Sequence, residues 1–339
     1  MHFLLEIDCL AQSNLRIAPF FLLACVAASS AFGDPGAPAA DRFTAYVEQS
    51  GAVPCSPDPA VNCELSCVAW VKHGGDSHLI FGNDKPPKSG AESSAFAIPY
   101  SGKRFNANTP HRAFNFPPFS TSNKIESMSV TQDGRFVVAM TAFDRFNEAD
   151  SGQDKFDVMI AWAADAPQKA KVVAASERNG VVSSLALRGR LTHAIQKKFG
   201  AATTYFKVEG MALMPNSRIL FGVREVGESY VKFDYRVLLI EGGYRIDNGE
   251  LQLDDAIELN IVRDFTELES QIGRKIGVSS IEYDWHNKRL YVMTSFEDDK
   301  EKRLGAYLWV LPDEHGLGTR PVLVTTADGA PFEFPHKAE

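Results

Sequence analysis

Lys207-Val208-Glu209-Gly210-Met211-Ala212-Leu213, followed by the turn Pro215-Asn216-Ser217 and the apolar run Ile219 to Val223, sets the pattern of the chain. Lys124-Ile125-Glu126-Ser127-Met128-Ser129-Val130, with Asp133-Gly134 and Phe136 to Met140, repeats it nearly position for position. A looser copy runs through Ser279-Ser280-Ile281-Glu282-Tyr283-Asp284, Asn287-Lys288 and Leu290 to Met293. Taking Glu126, Glu209 and Ser280 as equivalent start positions puts an Arg (Arg135, Arg218, Arg289) nine residues later in each copy. Segments that return in register with their turns signal a repeat architecture.

Around these copies lie short apolar runs separated by turn or charged segments. Cys67 to Val71, Leu79 to Phe81 and Ala95 to Tyr100 open the series, and 101 to 122 read as a long aromatic-rich loop. A second block uses Ile125 to Thr131, Phe136 to Phe143, Asp157 to Trp162 and Lys171 to Ala175. The third block uses Val208 to Met214, Ile219 to Arg224, Tyr235 to Ile240 and Ala256 to Val262, with a tight turn at Asp247-Asn248-Gly249. A fourth uses Ser279 to Asp284, Arg289 to Ser295, Ala306 to Leu311 and Arg320 to Thr325. Four short strands per repeat predict an all-β fold, a β-propeller of four-stranded antiparallel blades, five or six in number. Leu187, Leu191, Ile195 and Phe199 recur at steps of four, which predicts one inserted amphipathic helix over 185–199.

The N-terminus reads as an export signal. Arg16 precedes the apolar run Ile17 to Ala28, too short for a membrane span, and Ser29-Ser30-Ala31 supplies small residues for cleavage after Ala31. Leu22-Leu23-Ala24-Cys25 is an alternative lipoprotein box in which Leu23 fits poorly, and Glu6 and Asp8 are atypical of a signal's first residues. The division expected is therefore 1–31 signal peptide, 32–41 flexible spacer and 42–339 propeller, periplasmic or secreted, with no transmembrane span in the mature chain. The final Lys337-Ala338-Glu339 matches the start of another copy, so either the last blade is cut short or the strand around Phe43 to Val47 helps to complete it. In an oxidising compartment Cys55 with Cys63 is the simplest disulfide, which leaves Cys67 outside the pair.

A net charge of −8 without a Lys/Arg cluster argues against nucleic acid. There is no Gly-x-Ser-x-Gly, His-Glu-x-x-His or P-loop motif. In an antiparallel blade, strand 2 returns to the rim where strand 1 began. Glu126 and Glu209 should therefore share a channel mouth with the strand-2 exits Asn83-Asp84-Lys85, Asp144-Arg145, Arg224-Glu225 and Glu297-Asp298. This predicts a mixed-charge ring with a carboxylate excess. Such oxygens could coordinate calcium, with Glu126 and Glu209 as ligands, or do acid–base work. For any single Glu the simpler role is bonding to backbone amides that hold adjacent blades together.

The repeat segments, above all Lys207 to Leu213 running on to Arg224-Glu225, resemble the blades of the bacterial phytase-like (esterase-like) β-propeller proteins. The resemblance implies an exported propeller that binds calcium and acts on phosphoric or carboxylic esters. On that reading Arg145 or Arg224 would clamp a small anionic or ester ligand. The alternative is a non-catalytic binding or interaction propeller of the cell envelope, and in either case a monomer is expected.

Overall fold

The computed structural model describes residues 4–8, 20–28, 43–52, 64–73, 75–84, 93–100, 111–298, 302–311 and 319–335. An N-terminal antiparallel sheet comprises β1 (Leu4–Asp8), β2 (Phe20–Ala28) and β3 (Phe43–Ala52) in that order. Blade I follows with β4 (Leu65–His73), β5 (Asp76–Asn83), β6 (Ala95–Pro99) and β7 (Arg112–Ala113). Blade II is β8 (Ile125–Val130), β9 (Phe136–Thr141), β10 (Met159–Ala163) and β11 (Lys171–Val172). A small hairpin, β12 (Ser176–Arg178) and β13 (Val181–Ser183), leads into α1 (Leu185–Phe199). Blade III has β14 (Tyr205–Met214), β15 (Arg218–Ser229) and β16 (Lys232–Asp247), with both β17 (Glu250–Leu253) and β18 (Asn260–Asp264) pairing on β16. After a short α2 (Glu269–Ile272), blade IV has β19 (Gly277–Asp284), β20 (Arg289–Asp298) and β21 (Arg303–Leu311), on which both β22 (Val322–Leu323) and β23 (Glu333–Phe334) pair.

These antiparallel sheets form a propeller ring. The first strands are neighbours in chain order, β1 beside β4, β4 beside β8, β8 beside β14 and β14 beside β19. Among the described residues the N-terminal sheet makes a fifth blade position beside the four blades, with β1 and β2 drawn from the segment read as signal peptide. The apolar core is divided between successive blades, as the alternation of strand side chains requires. Ile80 and Ala97 of blade I meet Met128 and Ala139 of blade II in one layer. Met140 and Met159 meet Met211 and Phe221 in the next, and Leu220 and Leu239 of blade III meet Ile281 and Val292 of blade IV. The β2 strand coincides with the apolar run read from sequence as an export signal; the spacer and the Cys55 and Cys63 expected to pair lie outside the described residues. Cys67 is buried with its Sγ toward the Ile125 carbonyl.

The helix has the bounds that its periodicity predicts. Leu187, Leu191 and Ile195 are buried against blades II and III, Lys197 and Lys198 sit in the last turn where the helix dipole favours cations, and the chain leaves through Gly200 at φ 95°. The stretch read as a loop over 101–122 contains β7 in its described part, and Phe119 packs edge-on against Trp162 at 5.1 Å. At the seam, Thr44 forms a parallel bridge with Thr325, the Ala45 amide donates to the Thr325 carbonyl at 3.0 Å, and Phe43 is buried with Met293, Leu308 and Phe334. The strand beginning at Phe43 thus packs on the last blade, one of the two arrangements expected for the closing end.

One β-bulge recurs at the same register in the first strand of all four blades, and it positions the site. Pairing steps over Ser66 in β4, between Leu65↔Asn83 and Cys67↔Gly82. It steps over Glu126 in β8, between Ile125↔Thr141 and Ser127↔Met140. It also steps over Glu209 in β14 and Ser279 in β19. The equivalent of Glu209 in blade IV is therefore Ser279, one residue earlier than the Arg spacing implies. The reason is the turn: Trp285-His286-Asn287-Lys288 is one residue longer than Pro215-Asn216-Ser217. Its extra length is accommodated by Asp284, whose Oδ1 accepts from the His286 and Asn287 amides at 2.8 and 2.9 Å. Trp285 in that turn packs against the layers on both sides of blade III and donates Nε1 to the Val130 carbonyl of blade II at 3.4 Å.

Candidate functional site

A bulge places two residues opposite one and re-aims the extra side chain. In blade III two bulges face each other, because Arg224 of β15 is stepped over between Val223 and Glu225 just as Glu209 is in β14. The result is a direct ion pair, with Arg224 Nη1 donating to Glu209 Oε2 at 3.1 Å. Room for the arginine stem comes from Gly277 at the start of β19: a Cβ there would lie 2.7 Å from Arg224 Cγ. The guanidinium also stacks on the Tyr235 ring at 5.0 Å. It also donates to Ser295 Oγ and, at 3.2 Å, to Glu297 Oε1, both on β20.

Lys207, two residues before the bulge, bonds Glu209 Oε1 and stands 3.5 Å from Glu126 Oε1 of blade II. Further out, Lys124 donates to Asp144 Oδ2 at 2.5 Å and lies 3.8 Å from Asp84 Oδ1 of blade I. Glu225 accepts from the Tyr205 hydroxyl at 2.6 Å. All four blades thus contribute charges to the rim where first strands begin and second strands end, in one group joined through Lys124 and another joined through Lys207 and Arg224, which interact electrostatically. Six carboxylates (Asp84, Glu126, Asp144, Glu209, Glu225, Glu297) meet three cations (Lys124, Lys207, Arg224).

The network has a buried floor and a wetter rim. Glu209 is 0% and Arg224 1% exposed, whereas the Glu297 side chain is 42% exposed. Burial opposes the charge on Lys207, but the Glu209 and Glu126 carboxylates hold its pKa well above the ordinary lysine value. Burial likewise opposes the charge on Arg224, and Glu209 and Glu297 outweigh it, so the guanidinium stays charged. Burial and then the neighbouring Glu225 carboxylate raise the Tyr205 phenol, which remains a proton donor. Removing Glu209 from this floor would strand the Lys207 and Arg224 charges in the interior, at about 3–5 kcal/mol.

Not every residue expected in the ring enters this network. Arg145 follows Asp144 but gives its guanidinium to Asp157 at 2.9 Å and Asp154 at 3.0 Å. With Arg188 of α1 on the other Asp157 oxygen at 3.1 Å, that second cluster fastens the helix to blade II. Asp298 lies one residue beyond Glu297, opposite Arg303 of β21. Glu126 and Glu209, expected as calcium ligands, face Lys207 from either side. Among the described residues no group of three or more His, Cys, Asp or Glu is placed to hold a metal ion. Sequence reasoning passed over Lys124 and Lys207 as site residues, although Lys two positions before Glu recurs in both clear copies.

Cavities of about 330 and 380 Å³ open beside α1, the first lined by Lys198, Ile261 and Arg263, the second by Glu148, Arg188 and His193. Among the described residues no helix is long and apolar enough to cross a membrane.

No family model and no curated protein matches the chain, so the phytase-like resemblance rests on the first-strand segments alone. Similar solved structures include an α-L-arabinofuranosidase from Podospora anserina, solved in complex with cellotriose, at 8% identity and TM-score 0.43, covering 82% of this chain and 72% of that one. A luciferin-regenerating enzyme is similar at 10% identity and TM-score 0.37, covering 96% of this chain and 83% of that one.

Proposed function

We propose that this chain is a ligand-binding propeller whose channel mouth takes a small polar ligand. The observation that carries the reading is the division of the charge network. Both Glu209 oxygens are engaged, one by Lys207 and one by Arg224, so the floor is a fixed support. The partly exposed rim carboxylates Asp84, Asp144 and Glu297 supply acceptors to an entering molecule. Their excess over the cations gives the mouth a negative potential, which attracts donors and cations.

This reading differs from the metal-assisted phosphoric- or carboxylic-ester hydrolase that the resemblance implies. The hydrolase requires Glu126 and Glu209 to exchange Lys207 for a metal ion. Ligand screening by thermal shift and NMR, with and without chelator and calcium, separates the two. A bound ligand should lose roughly tenfold or more in affinity in Asp144→Asn and Glu297→Gln, the loss of one hydrogen bond to a charged group. Ligands indifferent to both variants would sink the binding reading. Calcium-restored hydrolysis of generic phosphate or carboxylic esters would replace it with the hydrolase.

The protein is further proposed to be exported by its first 31 residues to the periplasm or medium as a monomer. Sequencing the mature N-terminus, with Phe32 expected first, and sedimentation test these points.

A further inference from the structure

Beside the mouth, two aromatic side chains stand out in water. Phe146 is 64% and Tyr230 55% exposed, yet their rings, from consecutive blades, meet at 5.5 Å between centroids and 56° between planes. Val231 next to them is 74% exposed. Both rings are carried on anchored backbone. The amides of Phe146 and Asn147 donate to the buried Gln153 at 2.9 and 3.2 Å. Tyr230 caps the β15–β16 hairpin, which is pinched where a Cβ on Gly227 would lie 2.2 Å from the Lys232 carbonyl oxygen. Open, tilted rings held in this way leave two π-faces available to solvent.

Both stretches run out from the carboxylate rim. Phe146 lies two residues beyond Asp144, and the base of the Tyr230 hairpin carries Glu225. A second aromatic run joins the hairpin to the floor, with Tyr205 and Phe233 at 5.8 Å and Phe233 and Tyr235 at 5.5 Å, and the Tyr235 ring already holds the Arg224 guanidinium. π-faces beside excess negative charge are complementary to an organic cation, and each exposed ring contributes about 0.5–1 kcal/mol to such a contact.

We infer that the channel mouth recognises an organic cation of the alkylammonium class, its charged head against Phe146 and Tyr230 and its polar remainder toward the rim carboxylates. This deepens the binding reading above and rests on it for the polar half of the ligand.

The test uses choline and its neutral isostere, in which a quaternary carbon replaces the nitrogen, titrated into the full chain by NMR or calorimetry. Choline should bind and the isostere should bind at least several-fold more weakly. Phe146→Ala and Tyr230→Ala should each weaken choline roughly 2–5-fold, and Phe146→Tyr should restore it. Equal affinity for the isostere, no choline binding, or choline binding indifferent to both ring variants overturns the inference. If choline fails while another compound binds through Asp144 and Glu297, the mouth reading survives alone. If choline responds to the ring variants but to neither rim variant, the cation site stands and the mouth reading falls. Both ring residues are exposed, and unchanged thermal midpoints confirm that the variants fold.

Discussion

Blades II and III carry Glu at the bulge of the first strand, whereas blades I and IV carry Ser at the same register. The backbone device is common to all four, so the bulge belongs to the fold. Its cargo differs. Ser66 donates its hydroxyl to the Ile125 carbonyl of the next blade, a neutral contact that ties two blades together. Glu126 and Glu209 instead bracket Lys207 and, through Glu209, engage Arg224. The serine blades contribute to the charge network from their second strands, through Asp84, Ser295 and Glu297. The difference separates a neutral tie between blades from a charged network at the rim.

The sharpest way to break this comparison is to remove the charge from one bulge and the hydroxyl from another. Glu209→Gln leaves Lys207 and Arg224 buried with their common partner neutralised, and about 3–5 kcal/mol of unfolding free energy should be lost in urea titration. A loss no larger than that of the serine variants would reduce the network to a surface feature. Gly277→Ala comes next. Its Cβ would meet Arg224 Cγ at 2.7 Å and the Arg224 carbonyl oxygen at 3.1 Å, and about 1–3 kcal/mol should go as the arginine is displaced. Coupling to Glu209→Gln in a double-mutant cycle would show that the two changes act on one unit.

A third test uses blade IV against the others three positions past the bulge, where Ala69, Ser129 and Ala212 correspond to Glu282. Ile281 touches Gly210 of blade III, so strand alternation turns Glu282 to the opposite side of β19. Although the side chain itself is exposed, desolvation by the strands that surround it and then the Asp284 carboxylate push its pKa up to about 8. A carboxyl with a raised folded pKa binds its proton more tightly in the folded state. Its presence therefore lowers stability as pH rises from about 4.5 to about 8. Glu282→Gln should abolish that decline and stabilise the protein at alkaline pH by on the order of 1 kcal/mol, screening by solvent included. Thermal midpoints across pH check the sign. The smallest effect belongs to Ser66→Ala, about 0.5–1 kcal/mol for one neutral hydrogen bond.

The contrast between blades also explains what could be read from sequence. Strand, turn and helix positions were legible because each leaves a local period, as in Leu187, Leu191 and Ile195 on α1. Glu126, Glu209, Arg224, Glu225 and Glu297 were legible as rim residues because antiparallel pairing fixes where strands begin and end. The partner of each charge was not, since spacing along the chain does not say which cation enters which blade. Lys207 therefore went unread between Glu126 and Glu209. Arg145 was placed at the mouth although its acceptors, Asp154 and Asp157, arrive with the turn of 3₁₀-helix over Ser151–Phe156. Blade IV slipped by one residue because a longer turn and the Arg at its end imitate the shorter repeat.

The bridge between Thr44 and Thr325 joins positions nearly a full chain length apart, with the Thr325 hydroxyl reaching the Phe43 carbonyl across 282 residues. Such a contact carries a large loop-closure entropy, so the seam should be among the last elements to form. During synthesis, blades I to III can assemble while the clasp that holds the ring still lies in the ribosome. A chain interrupted before Thr325 would leave the backbone edge at Phe43 and Ala45 open to another molecule.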